Sequence, residues 1–412
     1  MLRFEWDWES APDVRSPELR ATWASLRIDV GDVTATLVED RSGRGGVRRR
    51  LNVPTYPLAE AIAYGWWRIT SPSSTERGAF QLADAGDGYP WPDLQLEVGH
   101  GYVLAKLRPI ERSIESIRFL SGTELLLSPT TVEQELRRFV EDTIQQLEDA
   151  RVGGTPLQDE WAAIVTADAE VAAFCKTAAG LGLDPYDLDD SQTAVVLSLG
   201  TTGAHPDLVS ELAASTRWSE VETARVWLRE AVDQLESVVT TPGLSLPFEP
   251  LSVGRLERPW RVGYERARKV REYLHLDPGA RLKVEDFVAI GSTESKAPAG
   301  VAGLTQSHGG GLAVATSRDM PRQAQRFAGA RAIGRRTFDH GEHGSILTAR
   351  DEYAAKVERA FAAELLAPAA GIERFLGAAV SDESLLAAAN EFDVSILVIQ
   401  HQLENQMGRT VF

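Results

Sequence analysis

The chain is expected to fold as a multi-domain α+β protein. Its 412 residues are enough for two or three domains at roughly 150 residues each. Residues 26–38 (LRIDVGDVTATLV) alternate loosely and carry β-branched side chains, a strand pattern. Residues 129–151 place Val132, Leu136, Phe139, Val140, Thr143 and Leu147 on one face of a helix. With 43% hydrophobic and 25% charged residues, the composition is that of an ordinary globular chain, which excludes wholesale disorder.

The elements divide into three regions. The first, 1–155, reads as a small α+β domain. After the strand at 26–38 comes a Gly/Arg loop, RSGRGGVRRR. The segment PLAEAIAYGWWRIT then spaces Leu58, Ile62 and Trp66 as one helix face. Residues 94–98 and 102–107 form a predicted hairpin. In the helix over 129–151, Pro129 suits the first turn and Thr130 with Glu133 fits a capping box. Gly153, Gly154 and Pro156 end that helix. Seven of the ten tryptophans lie at or before Trp161, so the aromatic core is expected in this half.

The second region, 156–250, reads as a helical middle domain, with segments near 158–166, 168–179, 191–199, 205–215 and 219–238. It ends in a proline-containing linker, TTPGLSLPFEP. The third, 255–412, reads as mostly helical with a small sheet. Helices are predicted near 259–274, 321–337, 351–366, 382–391 and 394–406, and a strand at 311–316 (GLAVAT).

Charge and cysteine content narrow the function classes. The net charge of −17 repels phosphate polymers on average and argues against a general nucleic-acid coat protein. A single cysteine, Cys175, allows no intrachain disulfide and no thiolate metal cluster, as suits a reducing compartment. The N-terminal stretch MLRFEWDWES lacks the basic and apolar parts of a signal peptide. No run approaches the ~18 apolar residues of a membrane span. The expectation is a cytoplasmic protein with no membrane partner.

Most catalytic schemes find no residues to run on. There is no GxSxG elbow, no Walker A loop and no GxGxxG turn. Cys175 sits in an apolar helix pattern, AEVAAFCKTAAG, and reads as a small core residue. Asp189 and Asp190 sit at a helix start and do not make a glycosidase pair. His308 precedes Gly309, Gly310 and Gly311, but no Lys-Ser/Thr follows to hold a phosphate. The segment DHGEH offers His340 and His343, flanked by Asp339 and Glu342, a spacing open to zinc or nickel; the competing reading is an exposed polar loop.

The third region carries a family signal. In order, it reads GLAVAT, RFAGARAIGRR, RAFAAELLAP and LLAAANEFDVSILVIQHQLENQMG. From Pro259 onward this resembles the ImmA/IrrE group of zinc-dependent peptidases, which often act in bacterial stress response and mobile-element regulation. The resemblance implies a zincin-like C-terminal domain. In the family, the segment after RF reads roughly T-L-A-H-E-L-G-H, two imidazole ligands for zinc with a general base between them. This sequence has Arg331, Ala332, Ile333, Gly334 and Arg335 there. Guanidinium groups stay protonated and have no lone pair to offer a metal. The third family ligand is a glutamate ahead of FAAELL; Glu352 and Glu358 are both near that position. The site is therefore expected to be degenerate, with no cofactor and no catalytic residues.

What replaces hydrolysis turns on the arginines. Arg331 and Arg335, with Arg336 and Glu358 nearby, can grip an external carboxylate or phosphate. Alternatively they pair with acids of the 351–366 helix and plug an obsolete cleft. Further basic stretches at 258–271 and 41–50 leave nucleic acid as a possible partner. The C-terminal helix pair over 381–412 carries too many acids for a DNA-reading unit and reads as a structural cap. The leading expectation is a non-catalytic, regulatory protein with a protein or peptide partner, an extended peptide adding to the GLAVAT strand. Its setting by resemblance is stress response, toxin–antitoxin or phage defence. The alternatives are a metallo-endopeptidase built on His340 and His343, and a nucleic-acid or nucleotide sensor built on the arginine-rich helices.

Overall fold

The structure is a computed structural model that describes residues 1–41, 46–72, 79–86, 88–99, 101–110, 117–237, 254–308, 311–338, 344–350, 352–377 and 380–409. The chain is a multi-domain α+β protein. It divides into two compact units: Met1–Asp187 with Ser252–Leu256, and Leu188–Leu251 with Glu257–Phe412. The helices expected over 156–250 are thus shared, two in the first unit and three in the second.

The first unit begins with β1 (Leu2–Trp8), α1 (Pro17–Ala21), β2 (Trp23–Val30), β3 (Val33–Thr34), β4 (Val38–Asp40), β5 (Gly46–Arg48) and β6 (Leu51–Pro54). The expected strand at 26–38 is interrupted, because Gly31 turns the chain at φ +62°. Next come α2 (Tyr56–Tyr64), α3 (Trp66–Ile69), β7 (Phe80–Gln81), β8 (Asp93–Gly99), β9 (Tyr102–Arg108), β10 (Ile117–Phe119) and β11 (Thr123–Leu127). The predicted hairpin is present as the antiparallel β8–β9 pair. The unit closes with α4 (Pro129–Asp149), α5 (Pro156–Thr166), α6 (Ala169–Gly180) and, from later in the chain, β12 (Gly254–Arg255). Three antiparallel sheets result, ordered β1-β2-β3 with β6 on β2, β10-β4-β5, and β12-β11-β9-β8-β7.

Helix α4 buries all six face residues that its periodicity marks, and Phe139 meets Phe4 of β1 at 4.8 Å between ring centroids. Its N-cap is Ser128, so Thr130 lies inside the helix and the Thr130–Glu133 box does not form. A capping box forms one helix later, between Thr155 and Gln158. Trp66 and Trp161 meet edge to face at 4.8 Å in the same core.

The second unit starts with three helices, α7 (Asp190–Gly200), α8 (Pro206–Ser215) and α9 (Val221–Ser237). Then follow α10 (Pro259–Tyr273), β13 (Ala289–Thr293), β14 (Val301–His308), β15 (Gly311–Ser317), α11 (Arg322–Arg336), β16 (Ser345–Thr348) and α12 (Tyr353–Leu366). It ends with α13 (Ala369–Leu376), α14 (Asp382–Phe392) and α15 (Ile396–Met407). The sheet order is β13-β15-β14-β16, with β13 and β15 parallel and the other pairs antiparallel.

The GLAVAT strand, β15, has all seven residues buried, and both α9 and α11 pack against it. It lies between β13 and β14, so both of its hydrogen-bonding edges are taken. The expected addition of an extended peptide to this strand is therefore corrected: the sheet ends at β13 and β16. Helices α10 and α12 cross closely at Gly263. A Cβ there would run into the carbonyl of Val357 and come within 2.7 Å of the Ala360 methyl. Leu385, Ala388, Phe392, Ile399 and Leu403 of α14 and α15 join the same core, which is the capping role expected of that pair. Among the described residues, no helix is long and apolar enough to cross a membrane.

Candidate functional site

Helix α11 carries Arg331 and Arg335, the two arginines singled out in the sequence. Residues four apart share a helix face, so Arg331 and Arg335 project together. They project into protein: both residues are buried, as is Glu358 on α12. Arg331 Nη2 donates to Glu358 Oε2 at 2.8 Å. Arg335 Nε lies 2.7 Å from Glu358 Oε1, a charge pair whose N–H is poorly aligned for a hydrogen bond. One carboxylate with no solvent exposure thus holds two guanidinium groups.

The Nη2 groups of both arginines also reach edge strand β16. Arg331 donates to the Thr348 carbonyl at 2.6 Å and Arg335 to the Ile346 carbonyl at 3.3 Å. From the other direction, the Ile346 N–H donates to Glu211 on α8 at 3.0 Å. Glu211 also lies 3.8 Å from Arg335 Nη2. Beside this cluster Arg350 pairs with Glu352 at 3.0 Å. Burial raises the Glu352 carboxyl above the usual carboxylate range, and the nearby Arg350 only partly offsets this. Burial also lowers the Arg350 guanidinium.

The sequence left two glutamates open as the third-ligand equivalent. Glu358 meets the arginines, while Glu352 belongs to Arg350. Arg336 is half-buried and, with Arg335, lines a crevice beside Thr305, Ser307, Gly344 and Ser345. At about 20 Å³ it has room for one water molecule. His340 and His343, with Asp339 and Glu342, lie outside the described residues. Among the described residues no group of three metal-ligating side chains converges.

The site does not fit zinc. Arg331 and Arg335 are cations paired with an internal anion, and a guanidinium has no lone pair for a metal. No hydrolytic step follows from these residues.

Several arginines of the other basic segments also meet partners within the protein. Arg326 is buried and bonds to the carbonyls of Leu282 and Asp393 and to Glu285. Arg271 bonds to the carbonyls of Leu365, Asp277 and Ala280. Arg266 donates to the Thr337 carbonyl, and Arg268 pairs with buried Glu364. In the first unit Arg41 pairs with Glu39, Arg48 with Asp40 and Arg50 with Asp7. A cleft of about 470 Å³ beside β1 has three arginines in its wall, yet Arg3, Arg50 and Arg138 each face a carboxylate.

Sequence reasoning misses Glu211, which comes from a helix far away in the chain. One signal was present. Glu211 is the only charged residue in the run LVSELAAS, and a charge inside an apolar run needs a buried partner. Comparison with known protein families and with characterised proteins finds no match for this chain.

Proposed function

We propose that this chain is a non-catalytic relative of the ImmA/IrrE peptidases, a regulatory protein that holds a protein or peptide partner and does not cut it. The observation that carries this reading is the pair of guanidiniums on Glu358, at the positions where the family places its two imidazole ligands. A hydrolase needs an open coordination position and a base at that point. This protein has a closed, charge-balanced cluster there. The resemblance also supplies the setting proposed for it, bacterial stress response, toxin–antitoxin pairing or phage defence.

The test uses purified full-length protein. Metal analysis after dialysis should find far less than about one zinc per chain, the stoichiometry of a catalytic site. Incubation with a library of unstructured peptides should yield no cleavage. One tightly held zinc that disappears in a His340→Ala, His343→Ala variant, or peptide turnover of any kind, would overturn the proposal in favour of a metallo-endopeptidase.

A further inference from the structure

Helices α14 and α15 are joined by Asp393, Val394 and Ser395, with Asp393 in the left-handed region at φ 52°. They pack together in the manner of a helix-turn-helix, with Leu385, Ala388, Phe392, Ile399 and Leu403 inside. In a DNA-reading pair the first turn of the second helix contacts base edges through side chains that hydrogen-bond. Here that turn carries Ile396 and Leu397, 36% and 60% exposed, and α14 exposes Leu386 at 55%. Acids frame these apolar groups. Residues three, four or seven apart share a helix face, which places Asp382 and Glu383 beside Leu386 and Glu404 on the face of Leu397. From Asp382 to Met407 there are five acids and no lysine or arginine. Of these acids, only Asp393 meets cations among the described residues, namely Arg281, Arg322 and Arg326. Asp382, Glu383 and Glu404 are exposed and uncompensated.

We propose that the outer face of α14 and α15 docks a basic amphipathic helix of a partner protein. Its apolar stripe covers Leu386, Ile396 and Leu397, and its lysines or arginines meet Asp382, Glu383 and Glu404. The inference names the partner's chemistry for the holding, non-cutting role given above and rests on that reading. Charge selects the occupant. Carboxylates in these positions repel the phosphates of DNA and of an anionic lipid surface. Leucines held in water beside unpaired carboxylates complement a helix that is apolar on one side and cationic on its flanks.

The test uses full-length protein and two fluorescein-labelled, end-blocked peptides, KLLKKLLKKLLKK and ELLEELLEELLEE, followed by anisotropy. Wild type is compared with a leucine variant, Leu386→Gln with Leu397→Gln, and with a charge variant, Asp382→Asn with Glu383→Gln and Glu404→Gln. All five side chains are exposed, so circular dichroism should show both variants folded. The lysine peptide should bind wild type at least about tenfold more tightly than it binds either variant. Its affinity should fall with salt more steeply for wild type than for the charge variant. Amide exchange should slow in α14 and α15 when it is bound. The glutamate peptide should not bind.

No binding of the lysine peptide, equal affinity for wild type and either variant, or equal binding of the glutamate peptide would each overturn the proposal. So would a labelled duplex DNA oligonucleotide that binds wild type and loses affinity in the leucine variant, which would return the pair to DNA reading. If one variant does not fold, the other decides by the same comparison. Metal and cleavage assays on wild type do not involve Leu386 or Leu397, so failure of the holding reading is scored separately from failure of this surface.

Discussion

Replacing Glu358 by alanine strands two buried guanidiniums. The two arginine side chains are only 4% and 6% exposed and the glutamate is fully buried, so water cannot take over for the lost carboxylate. Removing one partner of a buried ion pair costs about 3–5 kcal/mol. Arg331 would retain only the Thr348 carbonyl, whereas Arg335 would still have the Ile346 carbonyl and Glu211 at 3.8 Å. The loss should therefore fall near the lower end, about 3 kcal/mol. Because the chain has two compact units, one global transition is not a safe measure. Amide exchange resolved to α11 and α12 in increasing urea isolates the second unit. A companion variant, Arg331→Met, Arg335→Met and Glu358→Leu together, should recover most of the loss, since an apolar cluster avoids the desolvation of three ions. A loss below about 1 kcal/mol for Glu358→Ala would place the cluster in the class of exposed pairs and refute this account of the site.

Three further outcomes are expected. Gly263→Ala should destabilise the second unit by about 1–3 kcal/mol in the same exchange experiment, because its methyl has no space between α10 and α12. The Cys175 thiol is buried and its pKa is pushed up to about 11, chiefly by burial; Ellman's reagent at about pH 8 should modify it only after denaturant is added. Glu352 has a raised pKa, so the folded state binds more protons than the unfolded one between the ordinary carboxylate value and the raised one. Stability contributed by this group is present at low pH and lost as pH rises through that window. Measured against Glu352→Gln, wild type should lose stability as pH rises above the ordinary carboxylate range; a difference independent of pH would show that burial does not raise the Glu352 carboxyl.

Local physics made much of the fold legible. The apolar stripe of α4 is unbroken over six positions, and all six are buried. The hairpin of β8 and β9 follows from its alternation. Capping was harder to read, since Ser128 and Thr130 are both suitable residues and only the position of the first helical turn decides between them. Short strands such as β3, β5, β7, β12 and β16 have too few residues for any periodicity. The interior position of β15 is also invisible along the chain, because its parallel neighbour β13 is separated from it by the whole of β14.

The amino-acid sequence determined what the α11 cluster cannot do. Two arginines and an alanine at positions 331, 332 and 335 exclude imidazole ligation there in any fold, because that is a property of the side chains themselves. It also determined that Arg331 and Arg335 share a helix face, which follows from the pitch of a helix. Only the tertiary structure decided which anion they meet. Glu358 lies 27 residues from Arg331 and Glu211 lies 135 residues from Ile346. Contacts across such distances are selected by packing of the whole unit, which no local pattern records. The same packing closed the β16 edge with side chains of α8 and α11.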